Sequence, residues 1–68
     1  MKNQLKFEDI AMAQAAAIEM SMNVQGTGYA AVILSRNVFY VEDEPAMIRT
    51  WETLISEFEN GINLKTNE

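Results

Sequence analysis

The chain has 68 residues, ten acidic against five basic ones for a net charge of −5, and neither cysteine nor histidine. Disulfides, thiolate or imidazole metal sites, Ser-His-Asp triads and Cys-His pairs are therefore excluded by composition alone. Lys2, Lys6, Arg36, Arg49 and Lys65 are scattered through an acidic chain and do not form the basic patch that nucleic acid or an anionic membrane surface requires.

A single domain over residues 1–68 follows from the length, and a chain this short buries only about 60% of the surface its unfolded form exposes. A hydrophobic content of 49% is that of a folded globule rather than a disordered chain. Good packing or self-association is the expected source of stability. The polar ends, residues 1–6 and 64–68, read as frayed. The stretch IAMAQAAAIEMSM has the look of a signal-peptide core, but Glu8 and Asp9 stand where positive charge belongs, and Gln14 and Glu19 interrupt it. A cytoplasmic protein is the default expectation.

The first element is FEDIAMAQAAAIEMSM, residues 7–22. At about 100° per residue, Phe7, Ile10, Ala11, Ala17, Ile18 and Met22 gather on one side, which predicts a helix. Alanine is the best helix former, and Glu8 and Asp9 suit the positive end of the dipole. Gln14 falls inside the apolar side, whereas Met12 and Met20 fall on the opposite one. Small alanines also let another backbone approach closely, so contact on both sides of this helix is expected.

NVQGTG breaks the helix. Its pair Gly26 and Gly28 lacks the strand–loop–helix setting and the lysine of a phosphate-binding loop, and reads as turn chemistry. YAAVILSRNVFYVE is rich in Val, Ile, Phe and Tyr and predicts an antiparallel hairpin of residues 29–34 and 38–42 around SRN, with Asn37 able to adopt a positive φ. The alternative is a helix over YAAVILSR, which makes the chain all-α with three short helices. Tyr29, Ala31 and Ile33 alternate with Ala30, Val32 and Leu34, so both faces of the first strand are apolar.

DEPAMIRTWETLISEFENG predicts a second helix. Asp43 is its candidate N-cap, Pro45 sits in its first turn, and Gly61 follows its end as the C′ residue. Met47, Ile48, Trp51, Leu54, Ile55 and Phe58 share an arc of about 120°. The expected fold is thus α+β, in the order α-β-β-α, with a hairpin packed against two helices. Trp51 is the expected core anchor of the last helix.

The acidic cluster Glu42, Asp43 and Glu44 is explained first by that helix start, where carboxylates meet orphan N–H groups, and second as an acidic patch read by a partner. It lacks the alternating oxygen ligands of a calcium loop. A carboxylate pair for hydrolysis needs a cleft that so small a domain rarely provides. No catalytic residue, cofactor or metal is expected.

The positive signal is surplus apolar surface. Two helices cover one face of a hairpin, so Val32, Leu34, Phe39 and Val41, with Met12 and Met20 on the first helix, are the expected interface with a partner, and a homodimer is the simplest cover. The resulting functional expectation is a small acidic protein-binding module acting by occupying a partner surface, as an inhibitor, antitoxin-like factor or adaptor. Chains of this size and charge are the kind that phage or mobile elements encode. The alternative is a nucleic-acid mimic that blocks a DNA- or RNA-handling enzyme, which requires the carboxylates to share one face. A DNA-binding helical regulator is disfavoured, because YAAVILSR offers a single Arg and no polar readers.

Overall fold

A computed structural model describes residues 4–44 and 48–64. The elements are β1 (Gln4–Phe7), α1 (Ile10–Met22), β2 (Tyr29–Ser35), β3 (Val38–Glu42), β4 (Glu52–Glu59) and β5 (Ile62–Asn63). The five strands form one antiparallel sheet in the order β1-β3-β2-β4-β5. The α-β-β-α arrangement is overturned, and so is the all-α alternative: the described residues hold one helix, packed on a mostly β structure.

The first helix is shorter than its apolar pattern suggests. Phe7 belongs to β1 and pairs with Phe39, while Leu5 pairs with Val41. The helix starts after Asp9, whose φ of −117° and ψ of 128° are extended and whose Oδ2 accepts the Met12 N–H at 3.0 Å. Asp9 is thus an N-cap rather than a first-turn acid. Residues 4–6, read as part of a frayed end, form most of β1.

The predicted hairpin is present. Val32 pairs with Val41 and Leu34 with Phe39, and Arg36 and Asn37 turn the chain with φ of 52° and 69°. Two consecutive left-handed residues make the type I′ turn whose twist matches that of paired strands.

The second helix does not form. ETLISEFE is extended and pairs with β2 from Ser35↔Glu52 to Tyr29↔Glu59. The physical reason lies in β2, where Ala30, Ala31, Val32 and Ile33 are all buried, so its backbone needs partners on both sides. β3 satisfies one edge and β4 the other. Thr, Ile and Phe in the segment favour extension, and the apolar spacing that fits a helix also fits a strand with one irregularity. That irregularity is a bulge: Val32 pairs with Ser56 and Ile33 with Leu54, leaving Ile55 between them. Asn60 and Gly61, with φ of 52° and 85°, form a second type I′ turn into β5, so Gly61 closes a hairpin and does not end a helix. Among the described residues Asp43 accordingly caps no helix. Pro45 and Met47 of the predicted helix, and Lys2 and Lys65, lie outside the described residues.

α1 covers the sheet face that carries Ala30, Val32, Val41 and Phe58. It meets them through Ala13 and Ala17, and Phe7, Met20, Phe39 and Ile55 pack around the cluster. Its third buried residue, Ser21, is polar for a reason. The Ser21 Oγ donates to the Ile18 carbonyl at 2.9 Å and accepts the Gly61 N–H at 2.9 Å, fastening the helix end to the β4–β5 turn. Ser21→Ala is expected to lower folding stability by about 1–2 kcal/mol, read by urea denaturation with an unchanged slope.

Candidate functional site

A helix resting on a sheet normally shows polar residues to solvent. The solvent side of α1 shows a single one, Glu19. One turn-to-turn stripe along it carries Ala11, Ala15, Ile18 and Met22, all exposed, with Met12 and Glu19 beside them. Met12 is 59% exposed, Met22 60% and Ile18 37%. The buried stripe opposite is Ala13, Ala17 and Ser21. Both sides of the helix are therefore apolar, and only one of them is covered. Gln14, at the flank, is half-buried, and its Oε1 is shielded with no hydrogen-bond partner among the described residues. An open groove of about 400 Å³, lined by Gln4, Leu5, Ala16, Glu19, Met20 and Asn23, runs between α1 and β1.

The residues expected at an interface are placed differently from one another. Val32 and Val41 are fully buried beneath α1, Leu34 and Phe39 are half-buried on the same sheet face, and Met20 packs against the core. Among the six, Met12 is the exposed one. The sequence signal for the helix surface was the pair of misplaced methionines and the run of alanines; what it lacked was the knowledge of which side the sheet takes.

The uncovered sheet face is drier than its pattern implies. Ala31 and Ile33 are buried there because the register sets Glu42 and Glu57 on either side of Ala31, and Tyr40 and Leu54 on either side of Ile33. Larger neighbours close over the smaller residues. The Gln4 Nε2 donates to a Glu42 carboxylate oxygen, and the Tyr29 hydroxyl donates to the Glu57 Oε2 at 2.7 Å. Partial burial, that hydrogen bond and the charges of Glu57 and Glu42 push the Tyr29 phenol well above its ordinary value of 10.0. The folded chain then holds this proton where the unfolded chain releases it. The contribution of Tyr29 to stability is fully present below about pH 10 and is lost as the pH rises beyond it. Thermal melts between pH 9 and 11 are expected to decline more steeply for the parent chain than for Tyr29→Phe.

The acidic cluster is mostly inside. Glu42 is 7% and Asp43 6% exposed, and the Asp43 carbonyl accepts the Thr27 hydroxyl, so Glu44 is its exposed member. Glu42, Glu52, Glu57 and Glu59 alternate onto the uncovered sheet face, whereas Glu19 lies on the outer side of α1 and Asp9 caps that helix. The carboxylates thus divide between opposite sides of the molecule. Among the described residues no group of acids is placed to hold a metal ion. None of the described helices is long and apolar enough to cross a membrane.

Trp51, expected in the core, is 52% exposed in the turn before β4. The guanidinium carbons of Arg36 and Arg49 lie 5.4 and 5.7 Å from its ring centroid. Arg49 also approaches the Glu52 Oε2 at 3.8 Å, and its backbone N–H donates to the Glu52 Oε1 at 2.9 Å. Such cation–π contacts contribute about 0.5–1 kcal/mol each at exposed positions, which accounts for the cluster as a brace between the β2–β3 turn and the start of β4.

The comparisons with known proteins are negative: no family model, no curated protein and no solved structure matches the chain.

Proposed function

We propose that this chain is a small acidic protein-binding module that acts by laying the outer face of α1 on the surface of another protein chain, as an inhibitor, antitoxin-like factor or adaptor does. The observation that carries the proposal is the exposed apolar stripe of α1, with Met12 and Met22 at 59% and 60% exposure on a helix whose opposite side already forms the core. Adaptable methionines and small alanines suit a contact surface: the former fit irregular partners, and the latter let a backbone come close. A net charge of −5 steers such a module toward neutral or basic surfaces and away from phosphate polymers. Nucleic-acid mimicry finds less support, because its carboxylates divide between two sides of the molecule and Glu42 is largely covered.

Affinity capture tests the proposal, with the full chain and a Met12→Lys/Met22→Lys variant as paired baits at several salt concentrations. The parent is expected to retain a protein in stoichiometric amount, either another copy or a different chain, and the variant to lose it. Equal recovery by both baits, or no stoichiometric protein with either, overturns it.

A further inference from the structure

We infer that the partner of α1 is a second copy of this chain, docked through an antiparallel α1–α1 seam about a two-fold axis; the inference rests on the protein-binding reading of the same face. Ala11, Ala15, Ile18 and Met22 follow one another at spacings of four, three and four residues, the repeat that keeps one seam of a helix facing a partner helix. The order along the seam is small, small, large, large. Running a second α1 in the opposite direction sets Ala15 against Ile18 of the other copy, and Ala11 against its Met22. Every large side chain then meets a small one, and the same pairing recurs on both halves, as an isologous contact demands. A parallel pairing sets small against small and large against large, leaving a gap at one end and crowding at the other.

Charge agrees with this arrangement. The seam itself carries no ionisable group; the flanking Glu19 falls beside Met12 of the other copy, and the two Glu19 positions stand about 7.5 Å apart along the axis in this register. A membrane is the poorer occupant, because helices that lie on bilayers carry Lys and Arg on their polar flank, and here Glu8, Asp9 and Glu19 accompany the helix. The exposed stripe offers on the order of 500 Å² per copy, so two copies bury about 1,000 Å², the lower bound for a specific interface. The helix is already ordered by the sheet and pays little further entropy on pairing. The expected product is a concentration-dependent dimer with a dissociation constant on the order of micromolar or weaker.

Sedimentation equilibrium of the purified full chain is expected to pass from 7.7 kDa toward twice that mass as concentration rises. Ile18→Lys places a charge at the seam centre and is expected to weaken the dimer by roughly a hundredfold while leaving the circular dichroism of the fold unchanged. Because the chain has no cysteine, a mixture of Ala15→Cys and Ile18→Cys variants reads the orientation directly. Under mild oxidation the mixed disulfide is expected to form faster than either homodisulfide. A parent chain that stays at 7.7 kDa to millimolar concentration overturns the inference, as does faster homodisulfide formation. The binding-module reading survives that result if Met12 and Met22 still govern capture of a different protein, and falls with it if they do not.

Discussion

Phe58→Ala is expected to remove about 3–5 kcal/mol of folding stability, a third or more of the total for a chain of this length. Domains carry about 0.05–0.15 kcal/mol per residue, or roughly 3–10 kcal/mol for a chain of this length. Phe58 is the largest buried side chain in the central cluster, which it shares with Ala13, Ala17, Ala30, Val32 and Val41. The alanines around it cannot collapse to fill the space, because helix and sheet backbones already hold them in position. Truncation therefore loses both the transfer free energy of the ring and the contacts along the cavity wall. Thermal unfolding followed by circular dichroism measures the effect. A loss of less than about 1 kcal/mol would show that Phe58 does not fill the space between α1 and the sheet.

Ala17→Leu should cost about 1–3 kcal/mol by the opposite mechanism, overpacking. Ala17 is fully buried at the contact with the sheet, and its small side chain is what lets α1 approach Val32 and Val41. Three added heavy atoms must either push the helix away, opening the contacts of Ala13 and Ser21 with it, or adopt a strained rotamer. The control is Ala15→Leu, the same chemical change on the exposed side of the same helix. It is expected to leave monomer stability within about 0.5 kcal/mol, since both residues are good helix formers. Urea denaturation at low protein concentration separates the two. Equal effects would mean that Ala17 does not face the sheet.

The fold was half legible in the sequence. The alanine-rich helix and the β2–β3 hairpin were read at nearly their observed positions, because each carries a strong local signal: alanine and Asp9 for one, β-branched residues and Asn37 for the other. The last segment is a strand where its apolar spacing predicts a helix. Trp51, Leu54, Ile55 and Phe58 satisfy a helical arc, and a bulge at Ile55 lets nearly the same residues serve a strand. The corrective signal was present in Asn60-Gly61, a dipeptide that favours a type I′ turn at least as strongly as a helix end. β1 is illegible in the sequence for a simpler reason. Four residues at the chain's polar start carry little pattern, and Phe7 was absorbed into the neighbouring helix.

The candidate surface followed the same division. Surplus apolar surface was visible in the composition, and the suspicion that α1 is contacted on two sides came from its alanines and methionines. Its location was assigned mainly to the hairpin, because the number of strands was unknown. With β4 and β1 flanking the hairpin and α1 above it, Val32 and Val41 become interior, and the far face closes over Ala31 and Ile33 with its own larger side chains.

What the sequence by itself determined is local and chemical: a net acidic chain, no thiol or imidazole chemistry, one helix with apolar residues on both sides, and one hairpin between its turn residues. Only the tertiary structure decided whether the last segment is helix or strand, which side of α1 is core, and hence which apolar residues remain for a partner. The reason is that periodicity near the helix–strand boundary is nearly degenerate for a short apolar segment. The unpaired backbone of a neighbouring strand, many residues away in the chain, settles it by supplying the hydrogen bonds that extension needs.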